Sequence, residues 1–282
     1  MSTADVSVGA GNADRELFRL PIRGAAEATI LIWIYVVYSG LRNFVTGSPA
    51  VAAHHADQIL HFERFLGIGV GQPVRDATED LTWLRSFANL VYATHDVMTV
   101  VVLGALYRKV PERYRRWRDT FVLMLVIGVI GFWLYPVMPP RILATSYHFV
   151  NTSHRLSIGN TPLPGTVVPN PNRFDVFGFS NPYAAMPSLH VAWALLVPIA
   201  AWPVLRSGWL KVAAVLYAIL MVGAVTVTWN HWVLDSIGGG VTVVVAYALA
   251  GRVERLKAWI VIRADSRHTQ NVSRRSEGSP VY

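Results

Sequence analysis

The sequence predicts an all-α protein, a polytopic membrane bundle of about six transmembrane helices. Three observations lead there. Only 15% of the 282 residues are charged and 53% are hydrophobic, where a soluble domain carries about 25% charged residues. The charges gather in a few stretches and leave long apolar runs between them. Several of those runs reach or approach the roughly 20 residues that a helix needs to cross a bilayer.

The runs cover Ala25–Val45, Phe87–Tyr107, Thr120–Val137, Leu189–Leu205, Leu210–Thr228 and Val233–Ala250. The first contains bulky Trp33, Tyr35 and Tyr38 with no small-residue cleavage site after it, so it reads as a retained span and not a cleaved signal. Basic residues then set the orientation. Arg15, Arg19 and Arg23 precede the first span, and Arg108 to Arg118 separate the second from the third. Arg206 and Lys211 separate the fourth from the fifth, and Arg252 to Arg263 follow the sixth. An even number of spans puts all four segments on one side, and positive charge marks the cytoplasm. A multi-pass protein of the cell membrane with both termini cytoplasmic follows. The membrane domain is expected over 25–252, after a cytoplasmic segment 1–24 and before a cytoplasmic, largely disordered tail 253–282. Three segments face outward: 46–86, with an amphipathic helix around Ala52–Leu66, the long loop 138–187, and a tight turn around Trp229–Trp232.

The net charge is +8. Because most Lys and Arg flank apolar runs, this is a topology signal and does not predict a nucleic-acid partner. There is no cysteine, which excludes disulfides, thiolate catalysis and Cys-ligated metals.

Two short passages carry chemistry: Ala185-Met186-Pro187-Ser188-Leu189-His190 and Asn230-His231-Trp232-Val233-Leu234-Asp235. Both fall at outer ends of spans, which brings two histidines to one membrane face. His231 and Asp235 are spaced i, i+4 and share a helical face. A carboxylate beside an imidazole fixes its tautomer and leaves the other nitrogen to attack. A second histidine can protonate a leaving oxygen and then activate an incoming one. A single histidine at a helix end is more often a cap or an interfacial residue. Asp235 weighs against that, since an ionisable group opening an apolar run is expensive and usually functional. Arg141, just outside the third span on the same face, can bind phosphate bidentately or simply snorkel to the interface. Ser188 and the first amides of its helix add donors, and Arg155 and Arg173 in the long loop are further candidates. His95 and Asp96 lie inside the second span, where they are functional or a polar contact between helices. His54, His55, Asp57 and His61 match no strict metal-ligand spacing.

Pro187-Ser188-Leu189-His190 followed by His231-x-x-x-Asp235 resembles the type 2 phosphatidic acid phosphatase superfamily. Within it, Ala185 to Val191, Pro139-Pro140-Arg141, the Asn230-His231 turn, Glu63-Arg64-Phe65-Leu66-Gly67 and His95 look like the inositol phosphorylceramide synthase branch. The resemblance runs from about Ala52 to Gly251. It implies a six-helix membrane fold, no cofactor, and a metal-independent mechanism through a phosphohistidine. It makes His231 the nucleophile, Asp235 its orienter and His190 the general acid, with Ser188 and Arg141 on the phosphate. The substrate implied is a membrane lipid phosphate or phospholipid, and the acceptor is water or a hydroxyl such as inositol's, at the extracytoplasmic face. The chain departs from the usual pattern in the first and third motifs. Leu134 stands where a lysine is usual, and Ala224-Val225 where Ser-Arg is usual. Two basic phosphate ligands are thus replaced by apolar residues, for which Arg155, Arg173 and backbone amides are candidate substitutes.

Two other classes fit parts of the sequence. Asp96 and His95 suit a transporter's ion path, but the lack of an inverted repeat argues against one. A metal-dependent membrane hydrolase would use His190, His231 and Asp235 as ligands.

Overall fold

A computed structural model describes residues 4–45, 47–143 and 181–277. Along them run α1 (Ala4–Phe44), α2 (Pro49–Phe65), α3 (Gly71–Thr78), α4 (Thr82–Ala93), α5 (His95–Lys109), α6 (Pro111–Leu134), α7 (Leu189–Ala201), α8 (Gly208–Val227) and α9 (Val233–Glu277). Among the described residues there is no strand, only a bridge pairing Val137 with Ala184. The protein is the all-α polytopic membrane bundle that the composition predicts.

Five stretches are long and apolar enough to span a bilayer: Gly24–Phe44, Thr82–Lys109, Pro111–Leu134, Gly208–Val227 and Val233–Lys257. Their outward faces carry Trp33, Val100, Trp133 and Val244, all more than 60% exposed. Such surface suits lipid, whose acyl chains are as apolar as the side chains themselves.

The sixth apolar helix, α7, has only 13 residues and stops at Ala201 instead of running on to Leu205. It packs against α5, α6, α8 and α9. Buried residues stand all round it, including Val191, Trp193, Leu196 and Ala200, as expected of a helix apolar on every face. Phe121, Met124, Leu125, Val243 and Ala246 complete this central core.

Other boundaries also moved. The second span is two helices joined at Thr94, whose hydroxyl bonds back to the Val91 carbonyl at 2.6 Å. α6 begins at Pro111, not Thr120, so the arginines read as a connecting loop lie on its first turns. One of them is paired there: Arg118 reaches Glu27 of α1 at 2.9 Å and Asp119 at 2.8 Å, and Lys257 of α9 meets Asp119 at 3.2 Å. At its far end α9 stays helical to Glu277, through the stretch where the composition predicts little regular structure.

The outer amphipathic helix is α2, expected over Ala52–Leu66 and observed over Pro49–Phe65. The Ser48 hydroxyl accepts from the Val51 amide at 3.2 Å, and Pro49 opens the first turn, two standard helix-start devices.

Candidate active site

α6 and α9 run antiparallel between two ends of the bundle. One end holds the Arg118–Asp119–Lys257 cluster. At the other, residues 135–143, the start of α7 and the start of α9 converge.

The α8–α9 turn sets the first histidine. The Trp229 amide bonds to the Thr226 carbonyl, and the Asn230 amide to that of Val225, each at 3.1 Å. Trp229 adopts φ 57°. This paired closure usually carries glycine at the left-handed position, and a bulky residue there stores strain. Trp229 is held in place by Arg75, whose guanidinium lies 4.2 Å over its ring, and by the Arg141 amide, which donates to its carbonyl at 3.1 Å.

His231 follows, 7% exposed. Its Nδ1 faces the Ala185 carbonyl at 3.0 Å and Asp235 Oδ2 at 3.3 Å. Both are acceptors, so Nδ1 carries the proton and Nε2 keeps its lone pair, an assignment that follows from the partners. Nε2 lies 3.2 Å from His190 Nδ1, which is therefore the donor between the two rings. Asp235 is fully buried. Its Oδ2 also accepts from the Trp232 amide at 2.9 Å, and its carbonyl accepts from the Ser188 amide at the same distance. That last bond joins the two motifs directly.

His190 is the second residue of α7. Its ring stacks on Tyr92 at 4.1 Å and lies 4.4 Å from that of His95. His95 bonds the Tyr92 carbonyl through Nδ1 at 2.8 Å and approaches Asp96 through Nε2 at 3.4 Å. The intramembrane pair that stood out in the sequence thus lies directly behind His190. Ser188 is fully buried and caps α7, its hydroxyl accepting from the Val191 amide at 3.4 Å. Gly239 of α9 is essential to this approach: a Cβ there would stand 2.4 Å from the Ser188 carbonyl oxygen.

Arg141 is partly buried, and burial pushes its guanidinium below its ordinary value. It lines a polar groove of about 380 Å³ with Arg75, Arg85, Asn89 and Asn230. A larger groove of about 810 Å³ reaches His231 past Glu63, Arg64 and Trp232. Arg155 and Arg173 lie outside the described residues. The outer histidines separate: His55 stacks on Tyr135 at 4.0 Å, while His61 approaches Asp57 at 3.4 Å. Among the described residues no three His, Asp or Glu side chains converge as a metal-ligand set.

Two residues at the site were missed in the sequence. Arg42, near the end of α1, carries its guanidinium carbon 5.9 Å over the Tyr38 ring. Its Nε is buried without a hydrogen-bond partner among the described residues. The Asn181 side-chain amide holds this corner by donating to the carbonyls of Arg42 and Val45 at 2.9 and 2.7 Å. Glu63 is the other, buried against the start of α9. A lone arginine inside an apolar run is a usable signal; Glu63 stood in the Glu63-Arg64-Phe65-Leu66-Gly67 resemblance without a role assigned to it.

The apolar helices define an integral membrane protein, and the two histidines meet at one end of its bundle. A family model described as the PAP2 superfamily matches residues 57–249. The match covers more than half of the chain and holds both histidine motifs, and the protein belongs to the PAP2 superfamily, a family of phosphatases and phosphotransferases. No curated protein and no solved structure matches it.

Proposed function

We propose that the protein transfers a phosphoryl group from a membrane lipid phosphoester through a phosphohistidine on His231, without a metal. The observation that carries this reading is the orientation of His231: Nδ1 is held by two acceptors, and Nε2 faces a second histidine at 3.2 Å. In the first step the Nε2 lone pair forms a bond to phosphorus, the bond from phosphorus to the leaving oxygen breaks, and that oxygen takes one proton from doubly protonated His190, which becomes neutral. In the second, His190 takes a proton from the acceptor hydroxyl, the acceptor oxygen attacks phosphorus, and the phosphorus–nitrogen bond breaks. Asp235 stabilises the imidazolium in between.

Phosphoryl transfer also needs positive charge around the phosphate oxygens. The positions of the two missing basic ligands offer none: Leu134 is exposed, and Ala224 and Val225 are buried apolar residues. In this reading Arg42 supplies charge from α1, beside Arg141, Ser188 and the first amides of α7. Arg155 and Arg173 remain further candidates from the outer loop. The resemblance to inositol phosphorylceramide synthases favours a hydroxyl acceptor such as inositol's over water. The basic connections at the opposite end favour an extracytoplasmic site.

The test is phosphate release from a panel of lipid phosphates and diphosphates in EDTA, with and without inositol, beside His231→Ala. Phosphate release lost in the variant supports a histidine phosphatase. A His231-dependent lipid product formed only with inositol supports a transferase. Activity equal in the variant, or abolished by EDTA, overturns the mechanism.

A further inference from the structure

Burying a carboxylate is costly unless its oxygens are bonded. Glu63 is 2% exposed, and the end of α2 explains how it comes to be buried. Gly67 adopts φ 67°, its amide donating to the Arg64 carbonyl at 3.1 Å and that of Ile68 to the Glu63 carbonyl at 2.9 Å. This paired closure is the usual helix end with glycine in the left-handed position. It halts α2 with the Glu63 side chain at the start of α9.

There the Leu234 amide donates to Glu63 Oε1 at 2.8 Å. Leu234 is the second residue of α9, and the first amides of a helix have no partner inside it. A helix usually solves this with an acceptor side chain at its cap position. Here that position is Trp232, which has none. Trp232 instead gives its own amide to Asp235 Oδ2 at 2.9 Å. Asp235 thus supplies one half of a capping box, and the other half arrives from a different helix. Burial pushes the Glu63 carboxyl above its ordinary value, and the Leu234 amide pulls against that.

We propose that Glu63 is a positioning residue, which caps α9 from α2 and thereby fixes the turn in which Asp235 holds His231 Nδ1. Only its kinetic consequence rests on the proposed function; the ring geometry does not. Without the cap, the first turn of α9 frays, Asp235 loses its fixed relation to His231, and Nε2 is no longer held as the bare nitrogen facing His190. An acceptor is what the site requires, so Glu63→Gln, with its amide oxygen, keeps the function that Glu63→Ala removes.

The experiment uses the full chain labelled with 15N-histidine in detergent, the His231 ring signals being assigned by their loss in His231→Ala. Wild type and Glu63→Gln are expected to show a protonated Nδ1 and a bare Nε2, and Glu63→Ala an average of tautomers. In turnover, Glu63→Ala is expected to lose about 100-fold in kcat with KM within about threefold, and Glu63→Gln to stay within about fivefold of wild type. Unchanged His231 signals and kcat in Glu63→Ala would overturn the proposal. So would a Glu63→Gln variant as impaired as Glu63→Ala, since the carboxylate would then act in its own right. Should Glu63→Ala not fold, Glu63→Asp takes its place, one methylene too short to reach the Leu234 amide. Wild-type protein inactive on every lipid phosphoester would count against the proposed function alone, because the ring signals still decide the role of Glu63.

Discussion

In the proposed reaction a phosphoryl group brings negative charge up to His190 and His231, whose rings lie beside Tyr92, His95 and the Ala185 carbonyl, so each cation near them counts. Arg42 is the clearest case at the scale of single residues. Arg42→Gln preserves length and some hydrogen bonding while removing the charge. Loss of one charge-assisted hydrogen bond is worth about 10-fold or more in affinity. KM for the lipid phosphoester is therefore expected to rise by about that factor, with kcat less affected. Steady-state kinetics give the answer, and an unchanged KM would remove Arg42 from the phosphate site. What the sequence reveals at this scale depends on distance along the chain. His231 and Asp235 were legible because one helical turn separates them, and the pairing is observed at 3.3 Å. His190 was legible through its motif. Arg42 stands more than a hundred residues from His190, and Glu63 more than a hundred from His231, and no local spacing encodes such a relation.

Among the elements, the contact between the starts of α7 and α9 is the tightest at the site. It depends on the absence of a side chain at Gly239, where a Cβ would stand 2.4 Å from the Ser188 carbonyl oxygen. Backbone cannot yield as a flexible side chain does. Gly239→Ala is expected to cost about 1–3 kcal/mol in stability and to lower activity by separating His190 from His231. Gly223 in α8 provides the control, having nothing within 4 Å of its Cβ position; there alanine should be neutral or slightly stabilising. Thermal melts in detergent compare the two, and equal melts would show that the α7–α9 contact relaxes freely. Helix identity was largely readable at this scale, since apolar length and the Ser48-Pro49 start are local features. Boundaries were not. α6 extends back through its arginines because Glu27 and Asp119, from elsewhere in the bundle and from α6 itself, neutralise Arg118. α7 ends early at Ala201, because Pro203 follows its cap residue Trp202 and disfavours helix there.

For the whole molecule, the positions of the basic connections predict which end faces the cytoplasm. The chain has no cysteine, so single cysteines report on sidedness without background. Asp80→Cys, in the exposed turn after α3, is expected to react with an impermeant maleimide in intact cells. Glu112→Cys, exposed on the first turn of α6, is expected to react only after permeabilisation. The reverse pattern would place the histidines on the cytoplasmic side and overturn the proposed facing. The polytopic membrane bundle was legible in composition alone, because the bilayer imposes length on its spans; of the six expected spans, five are long and apolar enough to cross among the described residues.

The 13 residues of α7 rise about 20 Å, against roughly 30 Å for the hydrocarbon core of a bilayer. The start of α7 is bonded to the start of α9, whose apolar stretch Val233–Lys257 has 25 residues and is long enough to cross that core. The shortfall of α7 therefore falls at its other end, beside Trp202 and Lys211, and the two histidines stand where a full-length span begins. A phosphate carried by a lipid would reach that level with its chains still in hydrocarbon, whereas a water-soluble ester would have to leave bulk water to arrive. Selection for lipid-borne substrates would in that case begin with where two helices start, before any side chain touches the phosphate.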